Sequence, residues 1–150
     1  GLDDTQLPAI DEELVCVTEN DACCVDAIQC LLGCTYGKAN LIPRLRGKMA
    51  FTFFVRDENS SAAKAVRLFL KPEAGEEMSR DEYQNYLLNT PYTELFEVLE
   101  QRIALPEPAR HFASEHCSVC GEYTAEYGLR LQDGKPVCLD CYSAYEREGF

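Results

Sequence analysis

The sequence predicts an α+β domain followed by a small metal-stapled module. Three observations carry this: short β-branched and aromatic runs alternate with helical patterns before residue 105, a proline-bearing linker follows, and four cysteines in two Cys-x-x-Cys pairs close the chain. The 150 residues suit a domain of roughly 110 residues plus such a module, with the boundary expected between residues 1–113 and 114–150.

Each element of the domain has a local reason. Glu13-Leu-Val-Cys-Val-Thr18 has the apolar, β-branched content of a short strand, and Glu19-Asn20-Asp21 is an acidic turn. Asp21 is the expected N-cap of a largely buried helix from Ala22 to Leu32, and Gly33 is suited to end it in a left-handed conformation. On that helix Cys23, Asp26, Ala27 and Cys30 share a face. Cys34-Thr-Tyr-Gly-Lys-Ala-Asn40 reads as a loop whose second glycine lets backbone amides approach a ligand. Met49–Val55 and Lys64–Leu70 predict an antiparallel hairpin joined by the polar stretch Asp57 to Ala63. Ser79-Arg-Asp-Glu82 is a capping box opening a helix to about Asn89. After Pro91, the apolar residues Leu95, Phe96, Val98, Leu99 and Ile103 predict the stripe of a second helix, and Pro106-Glu-Pro108 stiffens the linker.

The terminal module has the clearest chemistry. Cys117-Ser-Val-Cys120, then 17 residues, then Cys138-Leu-Asp-Cys141 brings four thiolates into one tetrahedron around zinc; a rubredoxin-like iron site is the other metal that four thiolates suit. A hairpin turning at Gln132-Asp-Gly-Lys135 and a final helix from Cys138 through Glu148 are expected around it, in the manner of a zinc ribbon or treble clef. All four coordination positions are filled by protein, so the expected role is structural or partner-docking. The module's 37 residues are too few to bury a sufficient core, and metal binding contributes folding free energy on the order of 10 kcal/mol.

Charge narrows the partners. A net charge of -12 opposes indiscriminate binding to nucleic acid or to an anionic membrane. Residues 114–150 hold three cations against seven acids, unlike a DNA-reading finger. From Ala27 to Arg56 there is no acid, and Lys38, Arg44, Arg46 and Lys48 form a candidate anion or cofactor site; a solvated surface is the plainer reading. No apolar run approaches the roughly 20 residues of a membrane span, and Gly1-Leu2-Asp3-Asp4 lacks a secretory signal pattern. A cytoplasmic location is expected, with the nine cysteines reduced.

The five N-terminal cysteines, Cys16, Cys23, Cys24, Cys30 and Cys34, have no paired spacing. Their surroundings carry a resemblance instead. Glu19-Asn-Asp-Ala-Cys23, Val25-Asp-Ala-Ile-Gln29, Gly33-Cys-Thr-Tyr-Gly-Lys38, Asn40-Leu41, Gly47-Lys48 and Lys64-Ala-Val-Arg67 closely resemble the formylmethanofuran dehydrogenase E-subunit family, in which a Cys-x-x-Cys ribbon is a recurrent extension. The resemblance implies a mixed sheet with packed helices and a metal-handling or cofactor-handling role in anaerobic one-carbon metabolism. It further implies an accessory component of an oxidoreductase whose pterin chemistry lies on other subunits, with catalysis by this chain itself left open, partnered by a second copy of the chain in a dimer or by the subunits of such a complex. Cys23 and Cys34 occupy the family's cysteine positions, and with Asp26 they form a possible second metal site. The family's N-terminal His-Gly-His-x-Cys-Pro-Gly motif is absent, and the chain opens at Gly1-Leu2-Asp3, where the helix behind that motif should end; either the completing ligands lie upstream or this member has lost the motif. Two other readings stay open: a zinc-dependent interaction module without catalysis, and a thiol redox enzyme or sensor using Cys34 or Cys23. Cys16, Cys24 and Cys30 read as core residues, and His111 and His116 as surface residues beside the linker.

Overall fold

Five consecutive apolar or β-branched residues without alternation are the pattern of a strand covered on both faces. Leu14-Val-Cys-Val-Thr18 is that strand: β1 (Leu14–Thr18) is buried at every position. The computed structural model describes residues 7–56, 64–71, 78–100 and 102–145, and it divides into two compact units, Gly1–Ala109 and Arg110–Phe150.

In the first unit, β2 (Leu41–Pro43), β3 (Ala50–Val55), β4 (Lys64–Leu70) and β5 (Phe96–Leu99) join β1 in a sheet of order β2-β1-β3-β4-β5. β1 and β2 run parallel and the other pairs antiparallel, so the sheet is mixed. A parallel pair needs a crossover; it is supplied by α1 (Cys24–Ala27), a π-helical turn (Ile28–Leu32) and the loop after them. One sheet face packs Leu14, Cys16, Leu41 and Phe51 against Ile28 and Cys34. The other packs Val15, Val17 and Phe54 against Ile103 and Leu105. No helix among the described residues is long and apolar enough to cross a membrane.

The helix expected over residues 22–32 is shorter and differently started. Asn20, rather than Asp21, organises the entry, its Oδ1 accepting from the Ala22 amide at 3.1 Å. The α-helix begins after Cys23, which makes no side-chain cap. Gly33 does end the element in the left-handed region, at φ 72°. The close approach of residue 9 requires glycine there. Ala9 donates its amide to Leu32 O at 2.8 Å, and a Cβ on Gly33 would lie 2.7 Å from both the Ala9 nitrogen and its oxygen.

The capping box forms as expected: α2 (Arg80–Asn89) starts with the Glu82 amide on Ser79 Oγ and the Ser79 amide on Glu82 Oε2. The β3–β4 hairpin forms too, and its connection, 57–63, lies outside the described residues. The second helix does not. α3 (Tyr92–Leu95) makes a single turn, and Phe96-Glu-Val-Leu99 becomes β5, pairing from Leu70↔Phe96 to Arg67↔Leu99. β4 would otherwise present a bare row of amides and carbonyls, and covering that edge outweighs the helical spacing of the apolar residues.

In the second unit, β6 (Ser114–His116) pairs with β7 (Tyr123–Ala125), and β8 (Leu129–Gln132) with β9 (Lys135–Cys138). Asp133 and Gly134 turn the second hairpin at the expected place with φ 51° and 74°, the two left-handed residues of a type I′ turn. The helix expected from Cys138 is absent among the described residues up to 145, and 146–148 lie outside them. The chain after Cys141 is instead drawn back to the hairpin, the Ser143 amide donating to Gln132 Oε1 at 2.9 Å.

A buried ion pair crosses the sheet of the first unit. Glu19, just past β1, accepts from Arg67 of β4 through Nε–Oε1 at 2.7 Å and Nη2–Oε2 at 3.0 Å, with side chains 7% and 2% exposed. Arg67 is the main cause that holds the Glu19 carboxyl below its ordinary 4.5, against burial, which pushes the other way. Stability from this depressed carboxyl is fully present above about pH 4.5 and is lost as pH falls through the folded value beneath it. Glu19→Gln is therefore expected to destabilise the domain by about 3 kcal/mol at neutral pH, because it leaves a buried guanidinium uncompensated. Urea unfolding at pH 7 and in acid checks this; a deficit unchanged in acid would contradict the assignment.

Candidate metal centre and cationic cleft

The four ribbon cysteines converge from two hairpins. Cys117 and Cys120 lie after β6, while Cys138 ends β9 and Cys141 follows the next turn. Backbone bonds shape both knuckles: Gly121 N donates to Cys117 O at 2.9 Å, and Cys141 N donates to Cys138 O at 3.1 Å. All four sulfurs lie within 4.8 Å of one another. The Cys120–Cys138 sulfur separation of 3.9 Å matches the edge of about 3.8 Å in a tetrahedron with metal–sulfur bonds of about 2.3 Å. Amides of Cys138 and Val119 donate to Cys117 Sγ at 3.3 and 3.4 Å. The Cys138 amide is the main cause lowering the Cys117 thiol to about 6. Hydrogen bonds shared with the other thiols push Cys141 up to about 12. One sulfur is thus prepared as a thiolate while a crowded neighbour needs a cation to lose its proton, the behaviour of a zinc-type donor set.

The N-terminal residues are not gathered in this way. Among the described residues the ribbon cysteines are the one group of three or more ligand atoms close enough to share an ion; Cys23, Asp26 and Cys34 are not brought together. Cys34 is fully buried, with Sγ 3.6 Å from Leu14 O, and burial pushes its thiol up to about 11. Cys16 is pushed up as well, by burial and then by Cys34. Both are protonated packing residues at neutral pH, the opposite of a reactive thiolate. Cys23 and Asp26 are exposed, and so is Cys30, which does not belong to the core as the helix pattern suggests. Cys24 is half-buried against the core.

Most of the polar chemistry in the loop after Gly33 turns inward to hold the fold. Lys38 Nζ donates to Ala9 O at 2.7 Å. Asn40, with no exposed surface, donates from Nδ2 to Asp11 O at 2.8 Å and Leu14 O at 3.0 Å, and its Oδ1 accepts from Thr35 N at 2.7 Å. Arg46 reaches the carbonyl of its own neighbour Leu45. Arg44 and Lys48 help to depress Glu19. His111 and His116 are exposed, as expected, and His116 Nδ1 lies 2.9 Å from Gly121 O beside the first knuckle.

Of the four cations singled out in the sequence, Lys48 lines a cleft of about 620 Å³ in the first unit. Among the described residues three further cations line it, Arg67, Lys71 and Arg102, against the single carboxylate Glu97. Register explains the meeting: Arg67 and Phe69 alternate on one face of β4, opposite Leu99 and Glu97 of β5. Arg67 could have been found as the one charge inside the apolar run Lys64-Ala-Val-Arg-Leu-Phe-Leu70; Lys71 and Arg102 carry no such signal.

The family model described as FmdE, Molybdenum formylmethanofuran dehydrogenase operon, matches residues 2–106. The chain belongs to the FmdE family. A second model, the prokaryotic dksA/traR C4-type zinc finger, matches residues 112–147, and with the four-sulfur cluster it makes this FmdE-family chain a metal-binding protein. A protein of Archaeoglobus fulgidus described as a probable S-adenosyl-L-methionine-binding protein is 26% identical over 169 residues, spanning 97% of this chain and 45% of the relative. The chain thus spans less than half of that protein. The crystal structure of an FmdE-like protein of the tungsten formylmethanofuran dehydrogenase type, from Syntrophus aciditrophicus, superposes with a TM-score of 0.56 at 20% identity, over 85% of this chain and 70% of that one. That likeness establishes the FmdE-like fold.

Thiol accessibility in this FmdE-family domain follows from burial. In zinc-loaded protein, iodoacetamide is expected to modify Cys23 and Cys30 readily and Cys16 and Cys34 only on unfolding, as read by peptide mass spectrometry. Rapid labelling of Cys34 in the native protein would contradict its assignment as a packing residue.

Proposed function

We propose that this chain is a zinc-stabilised accessory protein of FmdE-type, anaerobic one-carbon metabolism, acting in the cytoplasm with a second copy of itself or with oxidoreductase subunits, and without catalysis of its own. The observation that carries the reading is the closed cluster of Cys117, Cys120, Cys138 and Cys141, all within 4.8 Å. Four protein sulfurs leave no coordination position for water or substrate, so the zinc they would hold clamps the ribbon rather than activating a nucleophile. The FmdE-family match over residues 2–106 supports the metabolic setting.

Cys34 offers little for a thiol-redox mechanism, since its buried thiol sits at about 11, and such a mechanism would fall to the exposed Cys23. S-adenosyl-L-methionine, named in the description of the Archaeoglobus relative, is a poor match for the cleft. It has a net positive charge, its sulfonium and ammonium outweighing its one carboxylate, and among the described lining residues it would meet four cations against Glu97.

Metal analysis tests the reading. Purified protein is expected to carry about one zinc per chain, with uptake weakening as pH falls because the thiols must lose protons. Cys117→Ser or Cys141→Ser should abolish binding and unfold the ribbon, whose buried residues are Cys117, Val137 and Cys138. The first unit, with its own two-faced core, should keep its amide-exchange protection. Retention of zinc, or a folded metal-free ribbon, would overturn the proposal.

A further inference from the structure

A chain of net charge -12 has few cations to place, and four of them converge on one cleft from separate segments. Lys48 comes from the loop before β3, Arg67 from the body of β4, Lys71 from just beyond it, and Arg102 from the segment after β5. Among the described residues the ion pairs are Arg67–Glu19 and Arg56–Glu12. Lys48, Lys71 and Arg102 therefore meet at the cleft with no ion pair to another described residue, although Lys71 Nζ donates to the Thr93 carbonyl at 3.2 Å. Such a grouping raises the local potential unless an anion occupies it.

Arg67 strengthens the case. Its side chain is 2% exposed, and a buried ion pair is often no more stabilising than well-packed apolar residues of similar volume. Glu19 engages Nε and Nη2, which fixes the guanidinium plane and leaves Nη1 outside the pair. A planar guanidinium locked in this way is suited to recognise a carboxylate or phosphate. Among the described residues, even with the Glu19 charge counted beside Glu97, the cations remain in excess.

The rest of the wall is apolar or aromatic: Met49, Phe69, Leu99 and Tyr83. Tyr83 stands in the first turn of α2, whose start is fixed by the Ser79–Glu82 capping box. A cleft of about 620 Å³ falls in the range of small-molecule sites, with few placed charges among apolar walls. We propose that it binds a small organic anion, a phosphate or a carboxylate carried on an apolar or aromatic body. Lys48 and Arg102, both exposed, bring the charged end in, Arg67 orients it, and Phe69, Leu99 and Tyr83 hold the body. The site lies in the FmdE-family domain alone and depends on neither the metal nor the metabolic role.

Three probes of matched size test it in calorimetric titrations of the zinc-loaded chain: phenyl phosphate, phenylacetate and the neutral benzyl alcohol. At least one anion should bind at millimolar concentration or tighter, weaken with added salt, and shift the amide resonances of Phe69 and Leu99, while benzyl alcohol does not bind. The preferred anion identifies the charged group. Lys48→Gln together with Arg102→Gln should weaken binding about tenfold with an unchanged melting profile, and either single substitution serves if the pair unfolds. Absence of binding by both anions, equal binding of the alcohol, or undiminished binding by a folded variant would overturn the proposal.

Discussion

Glu19 follows the fully buried strand β1, and three parts of the first unit meet at it. Its amide donates to Ala50 O at 2.9 Å, which aligns the start of β3, and its carbonyl accepts from Arg46 N at 2.8 Å and Lys48 N at 3.3 Å, which folds the basic loop back onto the sheet. Its carboxylate then fixes Arg67 two strands away. Removing a carboxylate from water is costly, and the cost is offset here by a bidentate, charge-assisted pair. The basic loop, the hairpin and the cleft wall are consequently positioned by one residue. Nothing in the turn Glu19-Asn20-Asp21 distinguishes that glutamate from its acidic neighbour, because the partner is supplied 48 positions away.

The loop Gly33-Cys-Thr-Tyr-Gly-Lys-Ala-Asn40 illustrates how a specific motif can be legible while its use is not. Its residue types suggest a ligand, with a thiol, a cation and permissive glycines. In the fold much of it serves the segment around residue 9: Gly33 admits its backbone, Lys38 bonds Ala9 O, and Asn40 bridges Asp11 O to Leu14 O. Cys34 fills space beneath β1. A buried asparagine that joins separate backbone segments through three such hydrogen bonds is costly to replace.

Local chemistry is readable wherever the partner lies close in sequence. The Ser79–Glu82 box, the Asp133-Gly134 turn and the Cys-x-x-Cys knuckles each close within four residues and form as the pattern demands. Residues 96–99 mislead for the complementary reason. Leu95, Phe96, Val98, Leu99 and Ile103 satisfy a helical spacing, but Phe96-Glu-Val-Leu99 is also a short run with strand-forming Phe and Val, and only the distant edge of β4 decides between the two. The split places Leu95 in the core and frees Ile103 to cover the opposite sheet face. It also puts Leu99 and Glu97 opposite Arg67 and Phe69, so the element least readable from the sequence completes the cleft.

The two units divide the labour of cohesion in different ways. The first buries a strand on both faces and needs no metal for its core. The second gathers four thiols, buries little else, and gives the Cys117 sulfur two amide donors. Crowded thiols oppose one another's ionisation, so a metal-free ribbon either keeps protons or stays open, and a divalent cation resolves that conflict. The same electrostatic logic works with opposite sign in the cleft, where the cations gathered by the sheet outnumber the carboxylates among the described residues and favour an anion. In each unit the fold concentrates one sign of charge at one place and the missing counter-charge defines what the place is suited to hold.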